Sequence, residues 1–102
     1  MQIFKVKLTE SAIRDLIGIT EYLNNFSAET ALRYYDLIHE KANSLGILPT
    51  GYSLVRDDRL RKLGIRWAYV RNYTLYFTVD EKNHIVFVEN ILYSRRAYDV
   101  IL

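Results

Sequence analysis

The sequence contains no cysteine, a single proline, four glycines and no long apolar run. Without cysteine there can be neither a disulfide nor a thiolate metal site, and a reducing compartment is compatible with the chain. The glycines stand apart at positions 18, 46, 51 and 64, so no glycine-rich phosphate loop exists. Histidine occurs twice, with no His-x-x-x-His, paired-cysteine or calcium-loop spacing, and neither a metal nor a cofactor is expected. The N-terminal "MQIFKVKLTE" alternates apolar and polar residues, which suits neither a signal peptide nor a membrane span. The expected setting is therefore intracellular, in the cytoplasm and away from membranes.

What is present is a soluble, globular composition: half of the 102 residues are hydrophobic and a quarter are charged. That length suits one domain, residues 1–102, because a second core would have too little material. The net charge of +2 hides an asymmetry. Residues 1–50 carry five Lys/Arg against six Asp/Glu, whereas residues 51–102 carry nine against six. Within "RDDRLRKLGIRWAYVR", six basic residues face only Asp57 and Asp58. Such a stripe can meet phosphates or an acidic partner, and lysine and arginine on a strand edge also guard against edge-to-edge aggregation.

The pattern along the chain runs from a short strand through two helices and back to strands. "QIFKVKL" has the β-branched and aromatic content of a first strand. Thr9 offers an N-cap, Glu10 suits the helix dipole, and Ile13, Leu16, Ile17, Thr20 and Leu23 recur at helical spacing, predicting a helix from Glu10 to Asn25. Ser27 caps a second helix whose stripe is Ala31, Tyr34, Tyr35, Ile38, Ala42 and Leu45, ended by Gly46 and Pro49. His39, on that helix, has no acidic or histidine partner at a matching spacing and reads as a surface or interfacial residue. After a loop, "PTGYSLVRD", the period becomes two: Ile65, Trp67 and Tyr69 alternate with Arg66, Ala68 and Val70, and Tyr73, Leu75, Phe77 and Val79 with Thr74, Tyr76 and Thr78. "RN" and "DEKN" are turns, and "HIVFVENILY" is a third consecutive strand.

The order β-α-α-β-β-β, followed by a short C-terminal tail, predicts an α+β domain with a helical hairpin packed on one face of an antiparallel sheet. In the last strand Ile85, Phe87 and Ile91 would face one side and Val86, Val88 and Leu92 the other. Both sides are apolar, so the second face calls for cover by the tail or by a partner chain.

Chemistry is carried by arginines and tyrosines. The carboxylate pairs Asp57-Asp58 and Asp80-Glu81 lie in or beside predicted turns, which account for them more simply than acid–base catalysis. Arg66 shares its strand face with Ala68 and Val70, so its guanidinium needs a specific partner: a carboxylate such as Glu89, or an external phosphate. Arg95 and Arg96 follow the last strand, where strand ends could gather them near Arg59, Arg61 or Arg66. Such a cluster would suit RNA chemistry, with arginines stabilising charge on a scissile phosphate and aromatics stacking on bases; a salt-bridge network is the structural alternative.

Taken together, "SAIRDLIGITEYLNN…SAETALRYYDLIHEKANSLGILPTGY…LRKLGIRWAYVRNYTLYFTVDEKNHIVFVENILYSRRAYDVIL" resembles the RelE/ParE superfamily of bacterial type II toxin–antitoxin systems over almost its whole length. The most specific parts are "GIRWAYVRNYTLYFTVDE", similar to the Gly-x-Arg strand followed by an Asn-Tyr strand, and "ILYSRRAYDVIL", similar to the closing strand and arginine-bearing tail. The resemblance implies a small toxin neutralised by an antitoxin that adds a helix or a strand. It implies one of two activities. RelE-like members cut messenger RNA in the ribosome; ParE-like members inhibit DNA gyrase without cutting a bond themselves.

Carried over singly, Arg66 matches the Gly-x-Arg arginine that contacts RNA phosphate, Arg95 most nearly matches the arginine after the final strand, and Tyr93 and Tyr98 are candidates for the tail aromatic. Arg59, Arg61, Lys62, Arg71 and Arg96 would supply nucleic-acid contacts. Asp57 and Asp58 depart from the strongly basic run of RelE-like enzymes, Tyr98 lies closer to the arginines than the ribonuclease tyrosine, and the long hairpin is more ParE-like. The first expectation is a metal-independent, ribosome-dependent endoribonuclease. The alternatives are a gyrase inhibitor and a member that binds antitoxin but has lost toxicity.

Overall fold

The computed structural model describes residues 3–94. Strand β1 (Lys5–Leu8) leads into helix α1 (Glu10–Asn24), helix α2 (Ala28–Ser44), a 3-10 turn (Pro49–Gly51), a short helix α3 (Asp58–Lys62), and strands β2 (Arg66–Val70), β3 (Tyr73–Asp80) and β4 (Ile85–Tyr93). The sheet order is β1-β4-β3-β2. β2, β3 and β4 form the expected antiparallel meander, while β1 joins β4 in parallel, with Val6 opposite Val86 and Leu8 opposite Val88. A parallel partner needs a long crossover, and the helical hairpin lies between β1 and the meander in the chain. The expected α+β arrangement holds, with a mixed rather than wholly antiparallel sheet.

Thr9 and Ser27 cap the two long helices as their sequence context predicts. The Thr9 hydroxyl accepts from the Ala12 N–H and donates to the Glu89 carbonyl, so one side chain ends β1, starts α1 and ties both to β4. Ser27 accepts from the Thr30 N–H.

The core lies between the hairpin and the sheet, with Phe77, Ile38, Leu45, Leu75, Ile91, Val86 and Val88 fully buried. Two expectations about it need correction. A bulge shifts the β3–β4 register between Tyr76 and Phe77, leaving Glu89 as the extra residue, so Val86, Val88 and Ile91 all reach the core. Strict alternation would have put Ile91 opposite Val86 and Val88. The apolar surplus on the outer face of β4 is correspondingly smaller: Ile85, Phe87 and Leu92 are half-buried.

On α1 the buried residues are Ala12 and Leu16, with Ile19 packed beside them, while Ile13 and Ile17 are 45% and 52% exposed. The rotation has a polar cause. β1 ends opposite Val88, and beyond it the Asp15 carboxylate accepts from the Ile91 N–H at 2.9 Å and from Asn90 Nδ2 at 3.1 Å. Holding Asp15 against β4 turns Ala12 and Leu16 inward and Ile13 and Ile17 outward.

Four of the six basic residues of the stripe, Arg56, Arg59, Arg61 and Lys62, precede the edge strand β2. Asp57 accepts from the Arg59 and Leu60 N–H groups and so nucleates α3, one turn of helix that follows the predicted loop 49–57. Gly64 takes φ +76° as the chain leaves this turn, a conformation that favours glycine. Among the described residues no helix is long and apolar enough to cross a membrane.

Candidate functional site

The expected site residues that the structure describes lie at opposite ends of the sheet. At one end Arg66 begins β2 on the helix-facing side, in line with Ala68 and Val70, as the alternation predicts. Its Nη1 donates to the Tyr52 carbonyl at 2.6 Å. Glu89 is not its partner: the Glu89 carboxylate accepts from the Thr78 hydroxyl at 2.8 Å. Tyr52 is itself a node. Its ring stacks edge-on against Phe77 at 5.5 Å between centroids, and Lys41 Nζ lies 5.3 Å from the ring centroid and 3.4 Å from the phenol oxygen.

α3 stands beside the start of β2. Arg59, Arg61 and Lys62 are exposed on it. Arg59 approaches Asp57 at 3.6 Å, with 90% of its side chain exposed, a pair that solvent renders weak. The Leu60 N–H bonded to Asp57, aided by Arg59, holds the Asp57 carboxyl below the usual range. This end is therefore cationic, with one carboxylate committed to a helix cap.

At the other end the β2–β3 turn passes through Arg71, at φ +55°, and Asn72. Tyr93 closes β4 opposite Tyr73. Tyr73 is buried between Tyr34 and Tyr93, at 6.0 and 5.7 Å between ring centroids, both edge-on. Burial pushes its phenol pKa up, and the neighbouring Tyr34, Tyr22 and Tyr93 add to the rise. Beside this cluster a cleft of about 670 Å³ separates the hairpin from the sheet end, with Arg14, Tyr22, Tyr34, Asn72, Tyr73 and Tyr93 in its wall. Ser94, the last described residue, donates its N–H to the Asn72 carbonyl at 2.7 Å.

Register gives the separation of the two ends. Arg66 pairs with Phe77, and Tyr93 with Tyr73, four residues along β3 and on its other side. That amounts to roughly 13 Å along the strands and 10 Å across them. Arg66 and Tyr93 are not brought together. Arg59, Arg61 and Lys62 share the Arg66 end, whereas Arg71 shares the Tyr93 end. Arg95, Arg96 and Tyr98 lie outside the described residues.

Tyr52, Lys41, Tyr34 and Tyr73 carried no functional expectation from the sequence, whereas Tyr93 did. Tyr34 on the apolar stripe of α2 and Tyr73 at the start of a strand gave a signal for the tyrosine cluster; nothing in the spacing linked Tyr52 to Arg66.

Two solved structures share this fold. The toxin–antitoxin complex RelBE2 from Mycobacterium tuberculosis matches with a TM-score of 0.70 and 20% identity, over 91% of this chain and 93% of that one. The chromosomal ParDE TA system from P. aeruginosa matches with a TM-score of 0.70 and 21% identity, over 87% and 94%. No curated protein matches the sequence. The family described as the ParE toxin of type II toxin-antitoxin system, parDE, matches residues 6–98. A RelE/ParE-like hairpin on a four-stranded sheet and a family match over nearly the whole length agree, and the chain belongs to the ParE toxin family of type II toxin–antitoxin systems.

Proposed function

We propose that the chain is the toxin of a type II pair, arrests growth by gripping DNA gyrase in the cytoplasm, and is silenced by a cognate antitoxin. The observation that carries the choice of a binding toxin over a ribonuclease is the separation of Arg66 from Tyr93, the tail-tyrosine candidate among the described residues. Groups that share one phosphate in a cleavage step must stand within hydrogen-bond reach of it, about 3 Å. These two are separated by two strand spacings and four residues of strand, and the Arg66 guanidinium already donates to a backbone carbonyl. The ParE family match supports the same side of the choice.

An antitoxin partner is supported by the apolar surface left on the hairpin and loop. Ile13, Ile17, Tyr22 and Phe26 are all exposed, and the cleft opens beside Tyr22. The ribonuclease reading keeps one observation in its favour, the cationic turn Arg59–Lys62 next to Arg66. Its partners would be the ribosome and messenger RNA.

The two readings divide on a single pair of assays. Purified toxin added to gyrase and relaxed plasmid is expected to abolish supercoiling, with messenger RNA left whole in translating extracts. Intact supercoiling together with new RNA 5′ ends at ribosomes would overturn the proposal in favour of cleavage.

A further inference from the structure

Residues 53 to 55 lie along the outer edge of β2 as a short antiparallel strap. The Val55 N–H donates to the Ile65 carbonyl at 2.9 Å and the Trp67 N–H to the Ser53 carbonyl at 3.2 Å, with Leu54 bridged to Arg66 between them. Two backbone hydrogen bonds are a thin attachment for a segment that leads directly into α3. Side chains reinforce it at its start. The Arg66 guanidinium donates to the Tyr52 carbonyl, Lys41 reaches the Tyr52 phenol from α2, and the Tyr52 ring rests on Phe77. Val55, at the far end of the strap, is buried.

We infer that Arg66 is a positioning residue: it fastens the strap to β2 and so fixes where α3 presents Arg59, Arg61 and Lys62. Three features point this way. The guanidinium meets the Tyr52 carbonyl at the foot of the strap at 2.6 Å, and the only ion pair among the described residues is Arg59–Asp57, so among those residues Arg66 is engaged by the backbone and by no carboxylate. Its strand position faces the helices and the core, in line with Ala68, which is buried. The segment between the strap and Arg66 is α3 itself, closed by hydrogen bonds from Ile65 to Leu60 and from Val55 to Ile65. Arg66 thus acts at the base of a loop whose tip is basic. The inference rests on the proposed function for its consequence, since target binding is what the basic turn would serve; the fastening itself does not depend on the target.

The test uses the full chain. Amide exchange is measured in wild type and in Arg66→Ala, and the expected result is an acceleration of roughly tenfold at Trp67 and Val55, with the amide of Leu75 in the sheet centre unchanged, since one charge-assisted hydrogen bond has been removed. Unchanged exchange at Trp67 and Val55 would overturn the fastening.

A second arm separates positioning from direct contact. The chain is free of cysteine, so Val55→Cys with Ile65→Cys gives a single possible pair. These residues face each other across the strap, at a spacing typical of a strand pair, about 5.5 Å between Cα atoms, which a disulfide can bridge. In the Arg66→Ala background the oxidised pair is expected to restore gyrase inhibition and the reduced pair to leave it impaired. If oxidation restores slow exchange but not inhibition, the guanidinium itself is needed at the target and the positioning role fails. If wild type does not inhibit gyrase, the function reading fails by itself, and the exchange measurement still decides whether Arg66 holds the strap.

Discussion

The Asp15 carboxylate of α1 accepts the backbone N–H of Ile91 in β4 at 2.9 Å, taking the place of a fifth residue of β1. Strand β1 stops pairing at Val88, so the β4 edge beyond it would expose a donor next to the core. One side chain on the crossing helix satisfies that donor, binds Asn90 as well, and sets which face of α1 is buried.

Asp15→Ala leaves the Ile91 N–H without a partner beside a fully buried side chain. A loss of about 2 kcal/mol is expected from an unsatisfied buried donor, read as a lower denaturation midpoint with an unchanged slope. Asp15→Asn retains an acceptor oxygen and should lose less. Equal losses for the two variants would show that the carboxylate charge, not the acceptor, holds the helix in place.

Gly46 and Gly18 should respond to alanine in opposite directions. A Cβ at Gly46 would stand 2.5 Å from the Phe4 carbonyl oxygen, and the Gly46 carbonyl accepts from the Phe4 N–H at 2.8 Å, so the two backbones are locked at close approach. Gly46→Ala is expected to cost about 2 kcal/mol through that clash. Gly18 lies within α1 with nothing within 4 Å of a built Cβ, and Gly18→Ala should add roughly 0.5 to 1 kcal/mol through helix propensity. Denaturant unfolding of the two variants would measure both changes.

The contrast between these two glycines shows what the sequence could and could not disclose. Caps, helical stripes and period-two runs depend on near neighbours in the chain, and Thr9, Ser27, Ile38 and Phe77 fall where local pattern puts them. The rotation of α1 does not: it depends on Asp15 meeting Ile91, 76 residues away. The bulge at Glu89 is likewise set by pairing with Tyr76 and Phe77, and it alone moves Ile91 onto the core side. The candidate site suffered most. Arg66 and Tyr93 each lie on the strand expected, but only the register of three strands reveals that they stand at opposite ends.

Alkaline pH should weaken the fold through Tyr73. Its folded pKa is raised, first by burial, so the folded chain resists ionisation at a pH where the unfolded chain loses the proton. The stabilising contribution is complete below the ordinary tyrosine value, near pH 10, and is lost as the pH rises through the folded value. Tyr76 is shifted the same way by burial, with Tyr69 adding to it. Unfolding free energies measured from pH 8 to 11 should fall with pH, and Tyr73→Phe should flatten the fall. A tyrosinate absorbance titration in which every tyrosine ionises together near pH 10 in the native state would contradict the assignment.

Acid acts on two turns instead. Asp57 is held low chiefly by the Leu60 N–H, and Asp80 chiefly by the Asn83 side chain, which donates at 2.8 Å. Depressed values mean that both carboxylates support the fold above the ordinary carboxylate range and lose that role as the pH falls through the folded values. The protection of the Leu60 and Asn83 amides, relative to their intrinsic exchange at each pH, should therefore fall below about pH 4, while the centre of β3 keeps its protection. Asp57→Asn should blunt the acid response at Leu60 without altering that at Asn83.

The basic turn offers the sharpest functional prediction. Arg61 and Lys62 are exposed on α3, with Arg59 beside them only loosely paired to Asp57, so they act on a partner through solvent. Charges of this kind steer encounter more than they hold a complex, and salt screens them over a length of about 10 Å at 0.1 M. If the proposed gyrase target holds, Arg61→Glu with Lys62→Glu is expected to slow association with gyrase by roughly tenfold at low salt, with much less change in dissociation. At about 0.5 M salt the variant and wild type should converge. Both substituted residues are exposed, so the thermal midpoint should stay within a degree or two of wild type. An unchanged association rate in this folded variant would remove α3 from the target surface and turn attention to Arg71 and the cleft beside Tyr93.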